Sequence, residues 1–394
     1  MAAGEGGALV PLGDLQVAIV HDYLNQRGGA ERVVLELSRM WPAAPIYTSL
    51  YRPESTFPEF RGRQIRTTPL DLIPVDRGFR NLLPLYPAAF RMLGAIEADA
   101  VIASSSGWAH MARAAPGTLR VVYCHTPARW LYGGGHLNGR GAQRLLAGAA
   151  RPLFRSLRAA DRAAAHRTDL YVANSQTVRA RIRRVYGIDA PVVHPPVDVA
   201  RFAPRPPGER LLVVSRLLPY KHVELVVRAA NRLGVGLDVV GEGPMLGELR
   251  QLAGPTVALH GAVDDAQLVE LMERCRAVCV AAEEDFGLVA VEAQAAGKTV
   301  IAYGRGGALE TVEEGVSGVF FHERSVESLI EAIRACERLD TAPEVLARRA
   351  GRFSSGAFRV RMARVLAEAL ARRSASGGET ALQLPAALSE VGDW

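Results

Sequence analysis

Lysine is the scarcest charged residue in this 394-residue chain: among 47 lysines and arginines, only Lys221 and Lys298 are lysine. Where arginine is the default, a lysine marks a place that wants a compact ammonium, not a planar guanidinium. Cysteine is rare as well. Cys124, Cys275, Cys279 and Cys336 are too few and too uneven for a disulfide framework. Cys275 and Cys279 lack the second pair or histidine cluster that would complete a zinc site, so all four are expected to be small buried hydrophobes. No uncharged apolar stretch reaches 18 residues, which leaves nothing to span a membrane as a helix. The start, MAAGEGGALVPLGDLQ, has no basic region followed by an apolar run; without a signal peptide, a cytoplasmic location is expected.

What is present is a globular composition, 49% hydrophobic and 22% charged, too rich in apolar residues for a disordered chain. The length suits two domains of roughly 180 residues each. Short β-branched runs alternate with helical patterns, which predicts α/β architecture with parallel sheets. In the first half, strands are predicted over Val17 to Val20, Ile46 to Ser49, Ala100 to Ala103, Arg120 to Tyr123 and Asp169 to Ala173. Helices are predicted over Ala30 to Met40, Gly139 to Arg167 and Gln176 to Tyr186. The second half repeats the alternation from Leu211 to Arg338. Between them, VVHPPVDVARFAPRPPGER carries five prolines, too broken for a regular element, and puts the boundary near Arg201 to Gly208. The division predicted is 15–200, 201–356, a further helix over 357–373 and a polar tail over 374–394. Two such domains on a stiff linker would leave a cleft, with ligands off the carboxyl ends of the strands.

The most informative segment is EEDFGLVAVEAQAAG, Glu283 to Gly297. From Phe286 onward it predicts a buried helix of small and apolar residues that nevertheless carries Glu292, roughly 9 Å along its axis. Glu284 precedes the helix. Buried carboxylates are costly unless paired. Two of them beside a free helix start point to a ligand: the amides of Gly287 and Leu288 suit a diphosphate or sugar hydroxyls. Carboxylates only accept hydrogen bonds and so suit hydroxyl groups. The competing account is charge pairing at the helix start for Glu284 and a structural salt bridge for Glu292. A second constellation, SRLLPYK, places Arg216 and Lys221 on a strand-to-helix turn, where two cations suit a departing diphosphate whose charge grows as a glycosidic bond breaks. Alone, a solvated basic turn would explain it.

Three further segments are weaker. RGGAERV offers Gly28 and Gly29 at a helix start, where backbone can approach a phosphate closely. YCHTPARWLY puts His125 at the carboxyl end of a strand, and YGRGGALETVEEG puts Gly306 and Gly307 before a short helix. Plain turns and a structural histidine account for these equally well. Gly241, Gly243 and Gly247 in VVGEGPMLGELR approach a dinucleotide fingerprint, but they follow the wrong strand and lack the ribose-binding acid. They are expected to form a tight turn.

SRLLPYK, GEGP, Glu284 and Glu292 in E-x7-E spacing, and GGALETVEEGVSG occur in this order at spacings that resemble glycosyltransferase family 4. HDYLNQRGGAERVVLELSRMWPAAPIYT and HTPARWLY are similar to its bacterial mannosyltransferase-like branch. The resemblance runs from about Val17 to Leu370. It implies the GT-B fold, two Rossmann-like domains with the last helix crossing back to the first, and retaining chemistry on a nucleotide-diphosphate sugar. It implies that Arg216 and Lys221 hold the diphosphate, that Glu292 binds ribose and that Glu284 binds the transferred sugar. Phe286 to Leu288 would supply backbone contacts, Gly28 and Gly29 would approach the phosphate, and His125 would sit beside the donor sugar. The first domain would then be the acceptor side and the second the nucleotide-sugar side. Thr299 departs from the proline the family usually has after Gly-Lys.

No acidic pair with the geometry of a metal-dependent transferase appears, so neither a metal nor a cofactor besides the donor is expected. Retention usually suggests a carboxylate nucleophile; Glu284 is the one candidate, and the resemblance implies instead a same-face attack assisted by the leaving diphosphate. The branch suggests mannose from GDP-mannose, passed to a glycan or lipid-linked acceptor in polysaccharide or glycoconjugate synthesis. Gly139 to Arg184 holds eleven arginines against two acids. With LIPVDRGFRNLLPLYPAAFRMLG it suggests peripheral docking on anionic membrane, against the alternative of a solvated face. Nucleic acid is not expected, because no recognition module or interleaved aromatics accompany the charge. The competing functions are a nucleotide-sugar epimerase of this fold, a transferase decorating a small natural product, an NAD-dependent dehydrogenase and a non-catalytic sugar-binding protein.

Overall fold

The computed structural model describes residues 15–73, 82, 84–132 and 151–375. The β-branched runs form parallel strands in two units. One unit comprises the chain up to His194 together with the residues from Phe358 onward; the other is Pro195–Ala357.

In the first unit the elements are β1 (Val17–His21), α1 (Gly29–Met40), β2 (Ile46–Thr48), β3 (Ile65–Thr67), α2 (Tyr86–Arg91), β4 (Ala95–Ile96), β5 (Ala100–Ser105), β6 (Arg113–Ala114), β7 (Leu119–Cys124), α3 (Arg129–Tyr132), α4 (Arg151–Ala165), β8 (Leu170–Ala173) and α5 (Gln176–Tyr186). The sheet order is β3-β2-β1-β5-β7-β8, with every pairing parallel. Alternation along the strands divides two apolar layers. Ile19, Ile102, Val121 and Val172 share one cluster with α1, while Val20, Ala103, Val122 and Ala173 share the other with Tyr86, Trp108 and Leu131.

The second unit carries β9 (Leu211–Val214), α6 (Val223–Leu233), β10 (Leu237–Val240), α7 (Leu246–Leu252), β11 (Val257–Gly261), α8 (Asp265–Arg274), β12 (Ala277–Val280), α9 (Leu288–Ala295), β13 (Thr299–Tyr303), α10 (Ala308–Thr311), β14 (Gly318–Phe321), α11 (Val326–Cys336) and α12 (Pro343–Ala350). Its sheet runs β11-β10-β9-β12-β13-β14, again all parallel. The final helix, α13 (Ser355–Ala375), returns to the first unit: Phe358, Met362, Leu366 and Leu370, four apart, join its core. Arg359 on that helix pairs with buried Glu36 of α1.

Both units are thus α/β with Rossmann-like parallel sheets. In each, strand order reverses at one point, between β1 and β5 and between β9 and β12. Loops diverge there and leave a crevice at the carboxyl ends.

The structure adds elements the sequence pattern did not signal, β3, the β4–β6 ribbon, α2 and α12. Each is short or polar, with no sustained period to detect. The proline-rich segment packs with the second unit from Pro195 on: Val197 and Phe202 are buried in its core, and the Val197 N–H donates to Phe353 O. Of the predicted Gly139 to Arg167 helix, Arg151–Ala165 is seen; 139–150 lie outside the described residues, as do 74–81 and 83 of the apolar segment and the tail from 376. All four cysteines are buried and free. Among the described residues, no helix is long and apolar enough to cross a membrane.

Candidate functional site

In the second unit the crevice lies between the loop after β9 and the loop after β12. The chain leaves β9 through Ser215 and Arg216, then closes a 3₁₀ turn over Pro219–Lys221. His222 takes φ +52 to start α6. The turn is buttressed from below: the Leu217 N–H donates to Glu242 O, and a Cβ on Gly241 or Gly243 would meet Ser215 O at 1.9 Å or Leu217 O at 2.3 Å. Gly241 and Gly243, two of the three glycines that mimic a dinucleotide fingerprint, thus pack their backbone against the cationic turn, whereas a Cβ on Gly247 would meet nothing within 4 Å.

Lys221 Nζ lies 2.5 Å from Glu284 Oε1, with the two side chains only 13% and 27% exposed. Arg216 is exposed, its Nη2 3.5 Å from the Tyr220 hydroxyl, and Lys221 Nζ sits 5.3 Å over the Tyr220 ring. Tyr220, overlooked in the sequence, links the two cations; its place inside SRLLPYK was the only available signal.

Glu284 is fixed by its own backbone. Its carbonyl accepts the Gly307 N–H at 2.8 Å, and it bridges to Gly306. A Cβ on Gly307 would meet the Phe286 backbone at 2.3 Å, and Gly306 takes φ +68. Gly306 and Gly307 thus serve close packing against the Glu284–Phe286 segment. Phe286 is buried edge-on against Phe353, which leaves only its backbone for a ligand. Gly287, at φ +95, caps α9 and accepts the Ala290 N–H at 3.0 Å, while the amides of Leu288 and Val289 precede the first intrahelical bond. Glu292 is buried one turn further. Gln294, beside it, is consumed structurally by Ala290 O and Thr311 O.

The first unit has its own crevice. Asp22, following β1, is buried and accepts backbone N–H groups from Ser106, Trp108 and Ala109 at 2.5, 2.8 and 2.7 Å, which ties the loop after β1 to the loop after β5. Gly28 is the N-cap of α1 and Gly29 its first residue. Glu31 folds back over Gly28, where a Cβ would come within 2.6 Å of its Oε2. Its Oε1 accepts from Gln26 at 3.0 Å and lies 3.6 Å from His21 Nε2. His21 Nδ1 donates to Ser104 O at 2.9 Å. Burial disfavours a charged His21, but the hydrogen bond and charge of Glu31 outweigh it and raise its pKa. His125 Nε2 is 2.8 Å from Ser104 Oγ. Burial, and then the nearby His21 charge, lower the His125 pKa from 6.5 to about 3. One residue, Ser104, therefore holds a histidine whose pKa is raised and one whose pKa is lowered.

The structure brings Arg216, Lys221, Glu284, Phe286, Gly287, Leu288, Glu292, Gly306 and Gly307 to one end of the second sheet, and Gly28, Gly29 and His125 to one end of the first.

Two family models match the chain: "Glycosyltransferase Family 4" over residues 27–201 and "Glycosyl transferases group 1" over 199–352. Similar proteins include a GDP-mannose-dependent alpha-(1-6)-phosphatidylinositol monomannoside mannosyltransferase of Mycobacterium tuberculosis, 32% identical over 202 residues, 42% of this chain and 52% of that protein. A D-inositol 3-phosphate glycosyltransferase of Geodermatophilus obscurus is 34% identical over 225 residues, 47% and 49% respectively. The match spans about half the length of these relatives. Among solved structures, HepE from Anabaena in complex with UDP-glucose superposes with a TM-score of 0.68 at 20% identity, covering 90% of this chain and 100% of that one. Sucrose-phosphate synthase from Thermosynechococcus elongatus gives 0.66 at 18%, covering 91% and 100%. The fold these share is GT-B.

Proposed function

Because the chain belongs to glycosyltransferase family 4, we propose that it transfers a hexose from a nucleoside-diphosphate sugar to a glycan or lipid-linked acceptor, retaining the anomeric configuration. The observation that carries this is the 2.5 Å contact of Lys221 with Glu284 at the start of α9. A cation that would neutralise a departing diphosphate and an acceptor for sugar hydroxyls stand side by side, next to the N-terminus of α9. GDP-mannose is the first donor to try, on the strength of the mycobacterial relative's name.

In this proposal the protein's part is electrostatic. Arg216 and Lys221 take up the negative charge that grows on the leaving phosphate, and Glu284 keeps the ammonium aimed. Glu292 holds the ribose. The leaving phosphate itself takes the acceptor proton, so no carboxylate nucleophile and no metal is required. Exposed Leu72, Ile73, Leu85, Met92 and Leu153 in the first unit, with Arg91, Arg151 and Arg155 among them, favour a lipid-linked acceptor met at an anionic membrane surface on the cytoplasmic side.

The test is transfer from labelled GDP-mannose, UDP-glucose, ADP-glucose and dTDP-glucose to lipid extracts and oligosaccharides, with and without EDTA. Transfer with retained configuration and full activity in EDTA supports the proposal. Epimerised donor without transfer, or activity restored only by magnesium, goes against it.

A further inference from the structure

A cavity of about 450 Å³ lies within the first unit, between β5, β7 and the end of α4. None of the residues assigned above to the donor lines it. It is lined by the apolar side chains of Val101, Ala103, Val122 and Ala164 and by four guanidiniums, Arg91, Arg113, Arg120 and Arg167, with His110 and Thr168 as the other polar side chains. No carboxylate lines it.

Arginines such as Arg52, Arg179 and Arg210 hold carboxylates. Among the described residues, none of the cavity's four arginines makes an ion pair. Arg120 Nη1 donates to Arg167 O at 3.2 Å. Two acids that contact lining residues are already engaged. Asp169 accepts the Arg120 backbone N–H at 2.7 Å. Asp161, fully buried, accepts from the Tyr132 hydroxyl at 2.6 Å and lies 3.1 Å from His110 Nε2.

Like charges gathered round one cavity repel one another, and an anion that accepts from several of them relieves the repulsion. The apolar side chains add a preference for a ligand with a hydrocarbon part. We propose that this cavity is an anion site for a phosphate monoester with an apolar substituent, separate from the donor site. The same chemistry is offered by a lipid phosphate or by a free phosphate ester. The inference does not depend on the transfer reaction.

Calorimetric titration of the full chain with inorganic phosphate and with dihexanoyl phosphatidic acid tests it. Saturable binding of at least one probe is expected, weakened more than about tenfold in Arg113→Glu/Arg167→Glu. Both substituted side chains are exposed, so the unliganded melting temperature and the response to GDP should match the wild type. Lys221→Ala, at the other site, should leave the titration unchanged. Phosphatidic acid is expected to bind more tightly than inorganic phosphate, and equal binding of the two probes would overturn the apolar part of the assignment. The proposal is overturned if neither probe binds, if the double variant binds as the wild type does, or if Lys221→Ala is the variant that abolishes binding.

Discussion

Lys221 and Lys298 show how differently a rare residue can be used. Lys298 is wholly buried and donates to the carbonyls of Arg205 and Pro206, which anchors the proline-rich segment. Lys221 instead meets Glu284. Lys221→Ala is expected to lower turnover by well over roughly tenfold with the circular dichroism spectrum unchanged, because it removes charge stabilisation at the leaving group. Near-normal turnover would take Lys221 out of the reaction. The two histidines at Ser104 make a pH prediction. His125 stays neutral in the fold with its pKa depressed to about 3, so the unfolded chain binds a proton there that the folded chain does not. Its contribution is intact above about pH 6.5 and is lost as pH falls toward 3. His21 runs oppositely: its raised pKa contributes below the ordinary histidine range and is lost as pH rises through the folded value. His125→Asn should therefore flatten the fall in urea-melt stability between about pH 6.5 and 4.5; an unchanged slope would show that another group is responsible. The positions of Lys221, Glu284 and His125 were legible from motif and spacing. The pairing of His21 with Ser104 was not, because the two stand far apart in sequence and meet only across the β1–β5 pairing, and Glu31 reaches His21 only through the loop that joins β1 to α1.

Strands and long helices were largely legible as elements, since apolar periodicity is a local property. Their ends were less so: the buried helix predicted from Phe286 begins at Leu288, because Gly287 in a left-handed conformation turns the chain into it. The glycine pairs were legible as turns, with their purpose hidden. Gly306 and Gly307 admit the Glu284–Phe286 backbone, so Gly307→Ala should cost about 1–3 kcal/mol in a denaturant melt through forced separation of the two loops. It should also weaken donor binding by displacing Glu284. A variant of wild-type stability would mean that the loops part freely. Ser175 gives a simpler case. Buried at the start of α5, its Oγ accepts the Val178 N–H at 3.1 Å, and Ser175→Ala should cost about 1 kcal/mol.

At the scale of the molecule, each unit has its own apolar clusters, and the last helix is committed to the first unit by Phe358, Met362, Leu366 and Leu370. A ligand specific to the folded state raises its melting temperature, by the equivalent of about 2.7 kcal/mol at a hundredfold excess over its Kd. A screen of GDP, UDP, ADP and dTDP is expected to give the largest shift with GDP, and a larger shift with UDP would replace mannose with another hexose as the donor. The membrane proposal is checked by co-sedimentation with anionic vesicles. Binding at low ionic strength that weakens with salt is expected, and no binding at low salt rules it out. By itself the sequence determined the α/β class, the strand succession of the second half, the main strands of the first and the family, because periodicity and motif order survive without coordinates. Only the tertiary structure decided that Tyr220 joins the two cations, that Ser104 serves two histidines and that four arginines without an ion pair among the described residues line one cavity. Those contacts follow from strand order and loop closure, which bring together residues that no local pattern relates.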